Sequence, residues 1–171
     1  MSNPNWFANR EGHVVLMPDI GDGIVLPKII NEVHNIIADM SLLLDGRLIE
    51  FERDVNLLNG VPDTIQKYPA IYTSLKTFER NGDGRLGERR VYEVLIRLVH
   101  QTHDTHTAEY DLIHLCDAIP MLFKKNNKLN GLLGTSGRAS VNNGEVGWAR
   151  IGGAMTKIVD FKLSVTWHVC A

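Results

Sequence analysis

The sequence predicts an α+β domain. It is an antiparallel sheet of about four strands with two main helices packed on one face, in the order helix, hairpin, helix, hairpin, behind an extended N-terminal arm. Three observations predict it. In the last stretch Val159, Phe161, Leu163, Val165, Trp167 and Val169 are apolar, while Asp160, Lys162, Ser164, Thr166 and His168 between them are polar. A strand puts each set on its own face, whereas a helix would scatter both, and alternation this clean marks a sheet with one buried face. Two other segments repeat apolar residues every three or four positions, as amphipathic helices do. The remaining β-branched segments fall in pairs around turn-forming residues.

Residues 1–25 form the arm and residues 26–171 a single domain, the size one hydrophobic core can serve. In the arm, Trp6 and Phe7 sit among Asn, Pro and Arg, and Asp19-Ile-Gly-Asp-Gly23 is turn chemistry. The two aromatics either anchor the arm on its own domain or are partner contacts on a neighbouring subunit. Pro27 suits a first helical turn, where its missing N–H costs nothing. From there Ile29, Ile30, Val33, Ile36, Ile37, Met40, Leu43 and Leu44 make an apolar stripe, which Asp45-Gly46 ends. His34 falls on the polar side of that wheel and reads as solvated. Residues 47–67 read mostly as connection, because Asn59-Gly60-Val61-Pro62-Asp63 interrupts any element.

Residues 70–78, rich in β-branched and aromatic side chains, read as a strand, and residues 89–101 as a second. The charged, glycine-containing stretch 79–88 joins them as a hairpin. Thr105 or Thr107 can cap the second helix, whose stripe is Leu112, Leu115, Cys116, Ile119, Leu122 and Phe123. Pro120 inside it removes one backbone bond and should kink it. Residues 126–144 read as a long mobile loop, 145–151 as a weaker strand, and Gly152-Gly153 as the turn into the last strand.

Net charge of −2 argues against sequence-specific nucleic-acid binding, and the longest apolar runs are too short to span a bilayer. The polar start lacks a secretory pattern, so the expectation is a soluble protein made inside the cell, with Cys116 and Cys170 reduced. The segment from Glu79 to Gly84 imitates a calcium loop, but Glu79 stands where Asp is wanted and Arg90 where a bidentate Glu must close the shell. His100, His103 and His106, with Asp104 among them, have metal-ligand chemistry. Their spacing straddles a strand end and a helix start, so convergence on one ion does not follow. No Walker loop, nucleophile elbow or cysteine pair is present in the sequence. The charged tip, with Arg80, Asp83, Arg85 and Glu88, has the mixed character of a docking rim and is the candidate partner contact.

One resemblance covers residues 27–171. An N-terminal helix, Tyr68-Pro69 leading into a strand, a polar turn and a strand ending Leu-Val-His-Gln-Thr come first. A helix opening with Ala108-Glu-Tyr, a Gly-rich loop and a final strand ending Val-Thr-Trp-His-Val follow. This order resembles the tail terminator (tail completion) proteins of tailed bacteriophages. The resemblance implies a structural virion protein with no cofactor and no catalytic residues, assembled in the host cytoplasm. It would form a homo-oligomeric ring, a hexamer in that family, that ends tail-tube polymerisation and helps join head to tail. Its partners would be itself, the tail tube protein and a head-completion or neck protein, with the tail sheath a further candidate. Other readings are a different head–tail connector or, in another class, a small metal-binding protein or enzyme using His100, His103 and His106. The long arm, Pro120 and the loop at 126–144 depart from the family pattern.

Overall fold

The structure, a computed structural model, describes residues 5–8, 14–17, 25–82, 87–101 and 104–169. Its centre is the pair β7 (Glu88–His100) and β9 (Ala154–Val169), antiparallel over their whole shared length. The alternation in both strands places Val94, Ile96 and Leu98 beside Leu163, Phe161 and Val159, and all six are buried. Flanking them are β6 (Ala70–Gly82), β8 (Arg138–Ile151) and the short β5 (Leu57–Asn59), in the order β5-β6-β7-β9-β8. This corrects the expected four-stranded antiparallel sheet. Among the described residues the sheet has five strands and is mixed, because β5 runs parallel to β6. Two further two-stranded sheets stand apart from it: β1 (Asn5–Ala8) with β2 (Val14–Met17), and β3 (Ser41–Leu44) with β4 (Arg47–Glu50).

Each correction has a local cause. Helix α1 (Leu26–Ala38) stops before the end of its apolar stripe, and Leu43 and Leu44 belong to β3. Asp45 and Gly46 both have positive φ, 49° and 73°, the backbone of a two-residue hairpin turn. Asp-Gly therefore closes a hairpin rather than a helix, and Leu44, Ile49 and Phe51 are buried. The supposed connection is organised by buried Asn56. Its side-chain amide donates to the carbonyls of Glu50 at 2.9 Å and Pro69 at 3.0 Å and accepts from Glu52 N–H at 2.7 Å. That clamp lays Leu57 against Ile71 and starts β5.

Residues of α1 and of α2 (Thr105–Lys125) share one apolar cluster with Tyr92, Val94, Ile96 and Leu98 of β7 and Val159, Phe161, Leu163 and Val165 of β9. Trp167 packs at the edge of that cluster, half-buried. A smaller cluster of Tyr72, Val99, Ile151 and Ile158 lies on the sheet's other face. There Arg97 grips Asp160 bidentately at 2.6 and 2.7 Å. Asp104, not Thr105 or Thr107, caps α2, accepting the Thr107 N–H at 3.1 Å. The helix runs on through Pro120. The region expected as a long loop is short and anchored. Leu129 and Leu133 are buried, the Ala139 N–H donates to the Asn127 carbonyl at 2.7 Å, and β8 starts at Arg138.

His34 is buried rather than solvated, because β6 lies on its side of α1 and Thr73 Oγ1 meets Nε2 at 2.8 Å. Burial, with the charge of Arg53 adding to it, lowers its pKa. The unfolded chain, with a His pKa of about 6.5, then takes up a proton that the folded chain refuses. This part of the stability is complete above that pH and declines as pH falls toward the folded pKa. Urea midpoints for wild type and His34→Gln should therefore diverge least at pH 5.5 and most at pH 7.5. A difference that does not vary with pH would refute this assignment.

Candidate assembly surfaces

The sheet is open at both ends, and its free edges have different characters. On one side, β8 pairs among the described residues with β9 alone, and its other edge lacks a neighbouring strand, although near its start the Ala139 N–H donates to the Asn127 carbonyl. On the other, β5 covers β6 only at residues 71–73, so residues 75–82 have no neighbouring strand on that side among the described residues. Unpaired strand edges are templates for another strand. Both edges also expose apolar side chains. Leu75 is 41% and Phe78 60% exposed on β6, and Val146 and Trp148 are 64% and 57% exposed on β8. Between α2 and β8 lies a groove of about 620 Å³ lined by Cys116, Pro120, Met121 and Val141, with Asp117 and Arg138 among its polar walls. Burial pushes the Cys116 thiol pKa up, which suits a packing residue rather than a nucleophile. Trp148 is steadied by the Lys157 ammonium 5.9 Å from its ring centre, and Lys157 itself pairs with Glu109 of α2.

The charged tip is an ordered network where it is described. Glu88 is held by Arg80, with the second contact at 2.9 Å, and by Arg90 at 2.8 Å. The Arg80 hydrogen bond first, and Arg90 after it, lower the Glu88 pKa to about 2. It therefore stays anionic across any physiological pH. Arg90, placed where a calcium loop needs a ligand, is buried beside Glu88. Asp83 and Arg85 lie outside the described residues. For Trp6 and Phe7 only the backbone is described, pairing in β1 with Leu16 and Val15 of β2.

The histidines are not brought together. His100 is buried with Nε2 3.0 Å from Asp111 Oδ2, while its Nδ1 accepts the Gln101 N–H at 2.9 Å. His106 is exposed on the first turn of α2, and His103 lies outside the described residues. Among the described residues no group of three His, Cys, Asp or Glu side chains could hold a metal ion. The Asp111 carboxylate also receives both guanidinium arms of Arg47, at 2.7 and 3.0 Å. Burial alone would raise its pKa, but the hydrogen bonds from Arg47 and His100 overcome this and hold it below the ordinary carboxylate value. Arg47, Asp111 and His100 come from a hairpin, a helix and a strand, so the network ties three elements together. Sequence reading missed it, since 64 residues separate Arg47 from Asp111. It also missed the groove beside β8, whose strand start it set too late.

The chain matches no protein-family model, and no curated protein is significantly similar to it.

Proposed function

We propose that the chain is a structural virion protein that assembles into a homo-oligomeric ring on the tail tube. There it ends tube polymerisation and presents part of the head–tail joining surface. The observation that carries this reading is the open sheet: among the described residues, β8 beyond Ala139 and the outer half of β6 each have an edge with no neighbouring strand. Two unlike edges on one subunit suit a head-to-tail contact, and such a contact closes into a ring when its rotation permits. The Arg80–Glu88–Arg90 network adds a fixed charged surface suited to steering a charged partner. The assembled protein acts by position rather than by chemistry. A ring of six is what the resemblance implies, with the tube protein below and a head-completion or neck protein above.

The test is removal. In cells making the other virion proteins, deleting this chain should leave full heads unjoined to tails and tubes of uncontrolled length by electron microscopy. Normal-length, joined tails in its absence would overturn the proposal.

A further inference from the structure

We infer that neighbouring subunits join through side chains: the β3–β4 hairpin of one copy seats its outer leucine pair, Leu43 and Leu48, in the groove between α2 and β8 of the next. The inference rests on the ring reading above and supplies a contact between its subunits that uses no strand edge.

The hairpin has two faces. In its register Leu43 lies opposite Leu48 and Ser41 opposite Glu50, and residues two apart on a strand share a face. On the inner face Leu44 and Ile49 are buried, and Leu42 packs against the core beside them. On the outer face Leu43 is 70% and Leu48 59% exposed, two leucines directly opposed across the ladder that the chain's own core leaves uncovered. The pair is also held in place. Arg47, next to Leu48, is gripped by Asp111 of α2, and the Asn56 amide ties the Glu50 carbonyl to the start of β5. An apolar anchor fixed in this way loses little freedom when it docks.

The groove lies on the opposite flank. The hairpin leads through Asn56 into β5, the first strand in the order of the sheet, whereas β8 is the last. Helix α2 stands between them. Asp111, which takes the hairpin's Arg47, and Pro120, which lines the groove, are about two and a half turns apart and so lie on opposite sides of the helix. A copy therefore cannot seat its own hairpin in its own groove. A projection on one flank and a recess on the other is the arrangement that a head-to-tail contact requires.

Projection and recess agree in size, surface and charge. The groove's volume of about 620 Å³ is that of a pocket enclosing a small molecule, with room for two leucine side chains. Cys116, Pro120, Met121 and Val141 give it apolar walls, and Met121 is 51% exposed. Beside its leucines the hairpin exposes Asp45 and Glu50, while Arg47 is already engaged by Asp111. On the groove, Lys124 and Arg138 outnumber Asp117, so an acidic projection meets a basic rim. The contact leaves the Ala139 N–H on the Asn127 carbonyl undisturbed. The occupant is therefore a second copy.

Sedimentation velocity on the full chain tests the contact. Leu43→Glu combined with Leu48→Glu, and separately Met121→Glu, should each weaken self-association by more than about tenfold, as the loss of an interface anchor does. All three residues are exposed, so far-UV circular dichroism should stay unchanged. Mixing decides the geometry. The hairpin variant keeps a working groove and the Met121→Glu variant a working hairpin, so an equimolar mixture should form a one-to-one dimer and go no further. Independently, Leu48→Cys treated with a short bismaleimide should give a ladder of linked multimers, and adding Cys116→Ser to the same chain should remove it. A wild-type oligomer whose mass ignores these variants, with no ladder, would overturn the hairpin contact while leaving the ring reading standing. A chain monomeric at every concentration, alone and with tube protein, would overturn both. Loss of tube-protein binding in the hairpin variant with self-association intact would give the leucine pair to a foreign partner and overturn the contact between copies.

Discussion

Leu163→Ala should cost about 3–5 kcal/mol of unfolding free energy, the upper range for deleting a buried leucine. Leu163 is completely buried at the middle of β9, level with buried Val94 on one side and Val141 on the other. It lies in the same cluster as Leu115 and Ile119 of α2. A sheet strand paired on both sides cannot shift toward a void without breaking its ladders. The space left by three carbons and their hydrogens therefore stays largely open, and the cavity adds to the lost transfer energy. The neighbouring Ser164 points to the other face and supplies the control. Ser164→Ala should stay within about 0.5 kcal/mol, as surface substitutions usually do. Chemical denaturation of both variants checks the pair. A cost below about 1 kcal/mol for Leu163→Ala would show that the centre of the core lies elsewhere.

What the sequence disclosed about the fold follows from how far each signal reaches. The period-two pattern of residues 159–169 depends only on neighbours one and two places away, so the long strand was legible residue by residue. Gly152-Gly153 was equally local, and both have positive φ, 58° and 80°. Leu43 and Leu44 fit the helix period and also a hairpin. Only Asp45-Gly46 could separate the two, and it was weighed as a helix stop when its commonest use is a two-residue turn. β5 has three residues and owes its place to Asn56, whose bonds reach forward to Pro69 and back to Glu50. No periodicity detects a strand that short. The count of strands and the mixed character of the sheet were lost with it.

The surfaces were less legible than the fold. The charged tip was visible as composition, yet its pairing of Arg80 with Glu88 depends on the register of two strands. His100 was noticed for its neighbours in sequence, His103 and His106. Its partner is Asp111, eleven residues on and within the helix pattern, where a lone carboxylate reads as solvent-facing. Phe78 looked like an ordinary strand residue. It is exposed where β6 runs past β5, its neighbour on that side among the described residues, a fact of topology rather than of sequence.

Asp111→Asn should destabilise the chain by about 2–4 kcal/mol at pH 7, a little below the usual cost of breaking a buried ion pair. The discount reflects Arg47, whose side chain is 43% exposed and can return to water, while Asp111 is 1% exposed and cannot. Asparagine keeps the shape but turns an amide N–H₂ toward one of two donors, the Arg47 guanidinium or the His100 Nε2–H. At least one bond becomes a clash between donors. The pH dependence separates this charge effect from simple packing. The folded pKa of Asp111 is lowered relative to its unfolded value of about 3.9. Its contribution is therefore complete above that pH and is lost as pH falls through the folded pKa. The gap between wild type and Asp111→Asn should stay constant from pH 7 down to about 5 and close progressively below about 4. Arg47→Met, which leaves the carboxylate buried beside His100 alone, should destabilise to a similar extent. Urea midpoints across this pH range measure both variants. A gap that persists unchanged at pH 2.5 would mean that the cost comes from packing, and that the carboxylate charge does not hold the β3–β4 hairpin, α2 and the end of β7 together.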